Sequence, residues 1–217
     1  MAFNEVFYNI CRILCSIAFR CAWGLRVYGL KNVPRKGGFI IASNHASAFD
    51  PPFLGVAISN RSVRYLAKAE LFENRFLSWL IKSLGAFPIK RGVIDRKPIR
   101  ILAEMVEQGN AVVVFLEGAR TKTGELQEAK AGFGMMACHA HSTVVVPAYV
   151  DSFGVWPKGS IFPETGKKVS IIFGRPIPLT KELAMPHSRK TYEAIAAKVM
   201  AEIKKLKAEL ESLNKES

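Results

Sequence analysis

The segment FIIASNHASAFD, residues 39–50, decides how this chain is organised. Its first five residues, Phe39 to Ser43, form a mainly apolar run, which is typical of a strand buried on both faces of a sheet. Its last residue, Asp50, precedes Pro51, so we expect a helix to start there with Asp50 as the N-cap and Pro51 at the first helical position. A buried strand that leads through a polar loop into a helix is the repeating unit of α/β domains.

Segments of the same two kinds alternate along the rest of the chain. Short apolar runs predict strands at 25–29, 63–66, 86–89, 111–116, 144–150 and 169–173. Helical periodicity predicts helices at 71–84, 95–108 and 190–213. We therefore expect one α/β domain at residues 25–217, with a mixed, largely parallel sheet flanked by helices.

An amphipathic helix is predicted before this domain, at residues 1–24. Its apolar residues recur at three- and four-residue steps and form one stripe, made of Phe3, Val6, Phe7, Ile10, Ile13, Leu14, Ile17 and Ala18. The charged residues Glu5, Arg12 and Arg20 argue against a membrane span, and no cleavage site of a secretory signal follows. Two interpretations stay open: the helix lies in a membrane interface with its apolar face down, or it packs on the protein's own core.

The charge balance favours negatively charged partners. The net charge is +13, with 31 Lys+Arg against 18 Asp+Glu, which suits anionic lipid, an acidic carrier or nucleic acid. A nucleic-acid surface needs aromatic residues interleaved with the charge, whereas the aromatic residues here fall on apolar stripes, so we expect no nucleic-acid partner. Cys138, His139 and His141 form the one metal-like cluster and lack a second ligand pair, so we expect no metal and interpret these residues as the end of a helix. The four cysteines follow no disulfide-like spacing and suit a reducing compartment.

His45 and Asp50 are the first candidates for chemistry. On a continuous helix a separation of five residues would turn them about 140° apart, but Pro51 disfavours helical geometry at Asp50. A loop can instead fold Asp50 back onto His45, so that the carboxylate fixes one imidazole tautomer and leaves the other nitrogen free to accept a proton. The alternatives are a structural loop histidine beside an N-cap, or a hydrolase that uses Ser43 or Ser47. Neither serine lies in a Gly-x-Ser-x-Gly elbow.

Two further loops follow apolar strands. Glu117, Gly118 and Arg120 come directly after the strand at 111–116, and if that strand runs parallel to 39–43, both loops reach the same edge of the sheet. An arginine there can bind phosphate with two hydrogen bonds, although an ion pair at a turn explains the same residues. Lys90 and Arg91 end the strand at 86–89 and suit an anion, or form a solvated basic loop.

Together and in this order, the three loops resemble the motifs of the glycerolipid acyltransferase family, over residues 25–178. The pattern Asn-His-x4-Asp is matched by Asn44, His45 and Asp50. The pattern Gly-x-Ile/Phe-x-Ile/Val-x-Arg is matched by residues 85–91. The pattern Phe-Pro-Glu-Gly-Thr-Arg is matched by residues 115–120, where Leu116 and Ala119 replace the proline and the threonine.

The resemblance implies an acyltransferase of phospholipid biosynthesis at a lipid surface, on the cytoplasmic face of the cell membrane as a peripheral or monotopic protein. It implies acyl transfer from acyl-carrier protein or acyl-CoA to the free hydroxyl of 1-acylglycerol-3-phosphate, which gives phosphatidic acid, with no further cofactor. An alternative acceptor is another lysolipid, such as a lyso-ornithine lipid or a lysophospholipid. By the same resemblance His45 is the general base and Asp50 orients it, and the substrate-binding residues are Asn44, Lys68, Arg91, Glu117, Gly118 and Arg120.

Overall fold

A computed structural model of the chain describes residues 4–89, 97–141, 144–156, 160 and 162–215. Its helices are α1 Glu5–Trp23, α2 Asp50–Ala57, α3 Arg75–Ser83, α4 Lys97–Glu107, α5 Ala131–His139, α6 Thr180–Leu183 and α7 Arg189–Lys215. Its strands are β1 Arg26–Tyr28, β2 Phe39–Ser43, β3 Val63–Lys68, β4 Ala86–Ile89, β5 Ala111–Phe115, β6 Val144–Asp151, β7 Ser170–Phe173 and β8 Ile177–Pro178. Two 3-10 turns span Leu30–Asn32 and Ala69–Phe72.

The described strands form one mixed sheet of eight, in the order β1-β7-β6-β2-β5-β3-β4, with β8 paired to β6. The strands β6, β2, β5, β3 and β4 run parallel to one another. The antiparallel pairs are β6 with β7 and β6 with β8. The expected α/β fold with a largely parallel sheet is confirmed, and β2 lies at its centre with every residue buried.

The helices cover both faces of the sheet, and each face has its own core. On one face, residues of α4, α5 and α7 pack around Leu102, Phe133 and Ile203. On the other face, α1 and α2 pack around Phe19 and Phe53. The two cores share the sheet, so α1 is an integral part of the folded unit.

Helix α1 lies along the domain with one face packed and the other exposed. Near its start the Tyr8 hydroxyl accepts a hydrogen bond from the Val63 amide, and Arg12 donates to the carbonyl of Ser59 at 2.6 Å. Near its end Phe19 packs on Phe53, with ring centroids 4.7 Å apart. The opposite face exposes five apolar side chains by 52–71%: Val6, Ile10, Ile13, Leu14 and Ile17. The interpretation of the stripe as core packing is therefore wrong for these five residues.

At α2 and α3 the structure corrects the expected helix starts. Asp50 is the first residue of α2, not its N-cap, which is Phe49, and its carboxylate points back to the preceding loop. The helix expected at 71–84 is divided into the 3-10 turn and α3, because Asn74 caps α3 by accepting from the Leu77 amide at 3.0 Å. Of α5 only the end was predicted, near Cys138 to His141, and α6 and strand β8 were not predicted.

Candidate active site

The candidate site lies at the carboxyl ends of β2 and β5. These strands are parallel neighbours, with Ser43 opposite Phe115, so the loops that follow them meet at one edge of the sheet, as expected. The Thr121 amide donates to the His45 carbonyl at 2.9 Å, which joins the two loops directly. Because Thr121 follows Arg120, this bond places Arg120 one residue from a contact with the histidine loop, the segment 44–49 between β2 and α2.

His45 and Asp50 form a hydrogen-bonded pair. The Nδ1 atom of His45 lies 2.8 Å from Oδ2 of Asp50, and both residues are buried. An ionised carboxylate can only accept a hydrogen bond, so Nδ1 of His45 donates it and is the protonated nitrogen, which leaves Nε2 as the atom that can accept a proton. The imidazole also stacks on Phe115, with ring centroids 4.0 Å apart and planes tilted by 16°. The imidazole is therefore fixed by stacking on its face and by a hydrogen bond at its edge.

Asp50 is held by more than His45. Its Oδ2 also accepts the backbone amides of Ala46 at 2.7 Å and Ser47 at 2.8 Å, which gives the fold-back that the five-residue spacing requires. Its Oδ1 accepts a hydrogen bond from the Ser152 hydroxyl, at the end of β6. The carboxylate is thus fixed by groups from the histidine loop and from the neighbouring strand, which explains why it does not cap α2.

The loop serines are engaged with the backbone. The Ser43 hydroxyl donates to the Asn44 carbonyl at 3.0 Å, and the Ser47 hydroxyl accepts from the Phe49 amide at 3.2 Å. A serine hydrolase needs its hydroxyl on the imidazole, so these contacts argue against that alternative. In the described part of the chain, no three His, Cys, Asp or Glu side chains come together as a metal site would require.

Glu117 makes a second connection between the two loops. Its Oε1 accepts the backbone amide of His45 at 3.1 Å, and the side chain is 2% exposed. Burial raises its pKa to about 7, against the opposing effect of the hydrogen bonds from the amides of His45 and Gln127. Its Oε2 is buried without a hydrogen-bond partner among the described residues. Glu117 therefore orders the histidine backbone, and within the described ranges no ion pair joins it to Arg120.

Arg120 lies at the rim of the site. Its Nη1 donates to the Trp156 carbonyl at 3.4 Å, a long bond that leaves most of the guanidinium's donors available for an anion. Gly118, two residues earlier, has φ of +71°, a left-handed conformation that side chains with a Cβ rarely adopt. This turn brings Arg120 out of β5 and toward the histidine loop.

The other predicted site residues are placed differently. The Asn44 side chain donates to the Val150 carbonyl at 3.0 Å and accepts from the Val150 amide at 2.8 Å, so it ties the loop to β6. Lys68 ends β3, beyond β5 from His45, and pairs with Glu70 at 3.0 Å. Arg91 lies outside the described residues, as does its neighbour Lys90. Substrate contacts of Asn44, Lys68 and Arg91 stay predictions.

Three residues that support His45 and Asp50 were not predicted from the sequence: Ser152, Thr121 and Phe115. The spacing of the motifs gives no sign of Ser152, because it lies 102 residues after Asp50 and reaches it only through the pairing of β6 with β2. A sequence signal was available for Phe115, since the last residue of a buried strand beside the loop with His45 is well placed to support a side chain from the adjacent strand.

Comparison with known proteins identifies relatives along most of the chain. A protein-family model described as Acyltransferase matches residues 24–151. The 1-acyl-sn-glycerol-3-phosphate acyltransferase of Bacillus subtilis is 27% identical over 212 residues, which cover 95% of this chain and 100% of that protein. The protein of the same name from Streptococcus pneumoniae is 26% identical, over 79% of this chain and 61% of its own length.

A solved structure has a similar fold. The 1-acyl-sn-glycerophosphate (LPA) acyltransferase from Thermotoga maritima superimposes with a TM-score of 0.70 at 23% identity, over 93% of this chain and 78% of that one. At this identity the likeness concerns the fold, and it agrees with the mixed sheet and the N-terminal helix described above.

Proposed function

Because this chain belongs to the acyltransferase family, as the match over residues 24–151 establishes, we propose that it acylates the free hydroxyl of 1-acylglycerol-3-phosphate and so forms phosphatidic acid. One observation carries the proposal: the hydrogen bond from Thr121 to His45 brings a base and a phosphate-binding candidate, Arg120, to one edge of the sheet. The names of the Bacillus subtilis and Streptococcus pneumoniae relatives support this acceptor.

The chemistry follows from the tautomer that Asp50 imposes. Nε2 of His45 takes the proton of the acceptor hydroxyl while the oxygen attacks the thioester carbonyl. The tetrahedral intermediate then collapses, the carbon–sulfur bond breaks, and the departing thiolate takes the proton from His45. Asp50 stabilises the imidazolium that exists between the two transfers, and such general-base assistance contributes roughly 10² to 10⁴ in rate.

The thioester supplies the energy of the reaction, so the proposal includes no ATP, metal or other cofactor. The donor is acyl-carrier protein or acyl-CoA, and the excess of basic residues in a chain of net charge +13 suits both, since each is acidic. Thiolate departure needs no additional group beyond the protonated His45.

Arg120 is proposed to hold the acceptor phosphate. A guanidinium binds a phosphomonoester through paired charge-assisted hydrogen bonds, and its position next to the histidine contact would bring the acceptor hydroxyl to Nε2. Leu116 and Ala119 stand where the family motif has proline and threonine. We therefore propose a second acceptor class as the alternative, another lysolipid such as a lyso-ornithine lipid or a lysophospholipid. Such a lipid has no phosphomonoester and would depend less on Arg120.

The enzyme is proposed to work on the cytoplasmic face of the cell membrane, as a peripheral or monotopic protein. Of the described helices, α1 has the length and composition to cross a bilayer. However, contacts at Tyr8, Arg12, Phe19 and Trp23 hold it along the domain. A helix fixed in this way and exposing one apolar face is suited to lie in the interface.

An acyl-transfer assay across an acceptor panel tests the function. Purified protein receives acyl-carrier protein or CoA thioesters with 1-acylglycerol-3-phosphate, lysophosphatidylcholine, lysophosphatidylglycerol or a lyso-ornithine lipid, and mass spectrometry identifies the product. The proposal expects the highest kcat/KM with 1-acylglycerol-3-phosphate and the loss of product in His45→Ala. Preference for a lysolipid without a phosphomonoester would replace the proposed acceptor with the alternative.

A further inference from the structure

The strongest unexplained feature outside the site is an apolar surface that continues from α1 onto α3. Helix α3 and the 3-10 turn before it expose Leu71 by 45%, Phe76 by 72% and Trp79 by 40%. The Trp79 ring contacts Phe7 of α1, with centroids 5.5 Å apart, and Phe76, with centroids 6.0 Å apart. We call this surface the α1/α3 face, and it consists of Val6, Ile10, Ile13, Leu14, Ile17, Leu71, Phe76 and Trp79.

This face has a defined relation to the candidate site. Strands β2, β5 and β3 are parallel, so their carboxyl ends share one edge of the sheet. Leu71 lies in the 3-10 turn that follows β3 directly, and Phe76 lies in the first turn of α3, so both lie toward the edge that carries His45. The C-terminal end of α1 reaches the same edge, where Trp23 packs on Phe49 with ring centroids 5.4 Å apart.

Scattered apolar residues are ordinary on a protein surface, but a contiguous group on two touching elements marks an interaction site. We propose that Leu71, Phe76 and Trp79 extend the lipid-facing surface of α1 onto α3, and that the resulting α1/α3 face docks on an anionic lipid bilayer. The inference rests on the proposed lipid acylation, because acceptor and product then both reside in a bilayer. It extends that proposal by assigning Leu71, Phe76 and Trp79 to the contact with lipid.

Charge favours a bilayer over a second copy of the chain. The exposed basic residues Arg20, Arg75 and Lys82 lie within three residues of Ile17, Phe76 and Trp79 in the chain, and the Lys82 ammonium lies 5.7 Å from the Phe72 ring. Acidic residues are present too, but Glu70 is paired with Lys68, which leaves Glu5 and Glu73. A second copy would bring the same basic residues and a net charge of +13 against itself, whereas anionic head groups attract both.

Vesicle co-sedimentation without substrate tests the docking surface. We compare the wild type with Leu71→Ala/Phe76→Ala, Ile10→Ala/Leu14→Ala and the control Met185→Ala. Met185 is 50% exposed and precedes α7 on the opposite face of the sheet. On vesicles of phosphatidylcholine with phosphatidylglycerol, each double variant should lose about tenfold or more in partition coefficient, and Met185→Ala less than about twofold. Wild-type binding by the Leu71→Ala/Phe76→Ala variant, or an equal loss in Met185→Ala, would overturn the proposal.

Fluorescence quenching gives an independent readout. Trp79→Phe keeps an aromatic ring against Phe7 and removes one fluorophore, so the difference between wild type and variant isolates Trp79. Lipids with brominated acyl chains should quench this difference signal, and its absence would place α3 outside the membrane. Arg75→Gln/Lys82→Gln should weaken binding to anionic vesicles only, whereas the exposed control Lys204→Gln on α7 should not.

Three outcomes separate this proposal from an interface between two copies and from the proposed function. A lipid-free dimer that Phe76→Ala dissociates in analytical ultracentrifugation would show that the face joins two copies, which overturns docking on lipid. Turnover of a short-chain, water-soluble 1-acylglycerol-3-phosphate by the Leu71→Ala/Phe76→Ala variant keeps the proposed function intact whatever the binding result. Failure of wild-type turnover with normal vesicle binding would count against the proposed function alone.

Discussion

Nδ1 of His45 lies 2.8 Å from Oδ2 of Asp50, and the same carboxylate oxygen accepts the amides of Ala46 and Ser47. The position of the carboxylate is therefore set by the backbone of its own loop, independently of the imidazole. This arrangement makes the pair a preformed unit, in which the loop orients the aspartate and the aspartate orients the histidine.

The first prediction separates proton acceptance from orientation. His45→Ala should lower kcat by about 10² to 10⁴ with the fold retained, because the proton acceptor acts in the transition state. Asp50→Asn can keep the loop bonds through its amide oxygen but loses the charge that stabilises the imidazolium, so kcat should fall there as well. Steady-state kinetics with thermal melts checks both variants. A folded His45→Ala protein that keeps more than about a tenth of the wild-type rate would contradict the assignment.

The second prediction concerns Ser152, whose hydroxyl donates to Oδ1 of Asp50. Ser152→Ala leaves one buried carboxylate oxygen without that donor, which should cost about 1 to 3 kcal/mol of unfolding free energy. Looser orientation of Asp50 should also lower kcat more than it raises KM, and Ser152→Thr should restore part of the rate. The control is Ser170→Ala, a buried serine of β7. A loss of stability in Ser152→Ala without any change in kcat would make Ser152 purely structural.

The pattern of apolar runs predicted most of the sheet, because buried central strands are recognisable by composition alone. Strand β2 and strand β4 were predicted with the bounds that the structure has. Only the end of helix α5 was predicted, because its small and apolar residues, such as Gly132 and Ala137, produce no one-sided periodicity. Strand β8 is two residues long, too short for any periodicity to be visible.

The candidate site was predictable where its residues are neighbours in sequence. His45 with Asp50, and the loop with Arg120, were found because the motif spacing is local and the strands before them are recognisably buried. The hydrogen bond of Ser152 and the pairing of Asn44 with Val150 depend on the register of β6 against β2. The register between strands that are far apart in the sequence is fixed by tertiary packing, and no short stretch of the sequence shows it.

The third prediction addresses phosphate recognition. Arg120→Ala should raise the KM for 1-acylglycerol-3-phosphate about tenfold or more, because the charge-assisted hydrogen bonds contribute about 1.5 to 3 kcal/mol. The KM for the thioester donor should change much less, and Lys122→Ala, an exposed neighbour, should change neither. Kinetics with both substrates varied checks this. Equal loss for donor and acceptor would show that Arg120 holds the loop rather than the phosphate.

The fourth prediction follows from Glu117, whose pKa burial raises to about 7. A folded-state pKa above the ordinary value of 4.5 means that the protonated form is favoured by folding. Its contribution to stability is therefore full below about pH 4.5 and lost as the pH rises through about 7. Glu117→Gln should remove this dependence, so urea unfolding should show wild-type stability falling between pH 5 and pH 8 by about 1 to 3 kcal/mol more than that of the variant. Parallel pH profiles for the two proteins would contradict it.

The last prediction assigns separate roles to the two faces of α1. Deleting residues 1–22 would remove the buried Tyr8 and Phe19 together with the exposed stripe, so single substitutions are needed to separate the roles. Phe19→Ala should cost about 3 to 5 kcal/mol of unfolding free energy, as deletions of buried phenylalanine do.

The same substitution should also lower kcat, since Phe19 contacts Phe49, the residue before Asp50, with ring centroids 5.8 Å apart. Ile10→Ala/Leu14→Ala removes two exposed side chains and keeps good helix formers, so its stability should stay within about 0.5 kcal/mol of the wild type. Its defect should instead be confined to vesicle binding and to turnover of long-chain acceptors. Urea unfolding, co-sedimentation and assays with soluble acceptors together distinguish the two variants, and a shared defect in all three would mean that α1 acts as one undivided structural element.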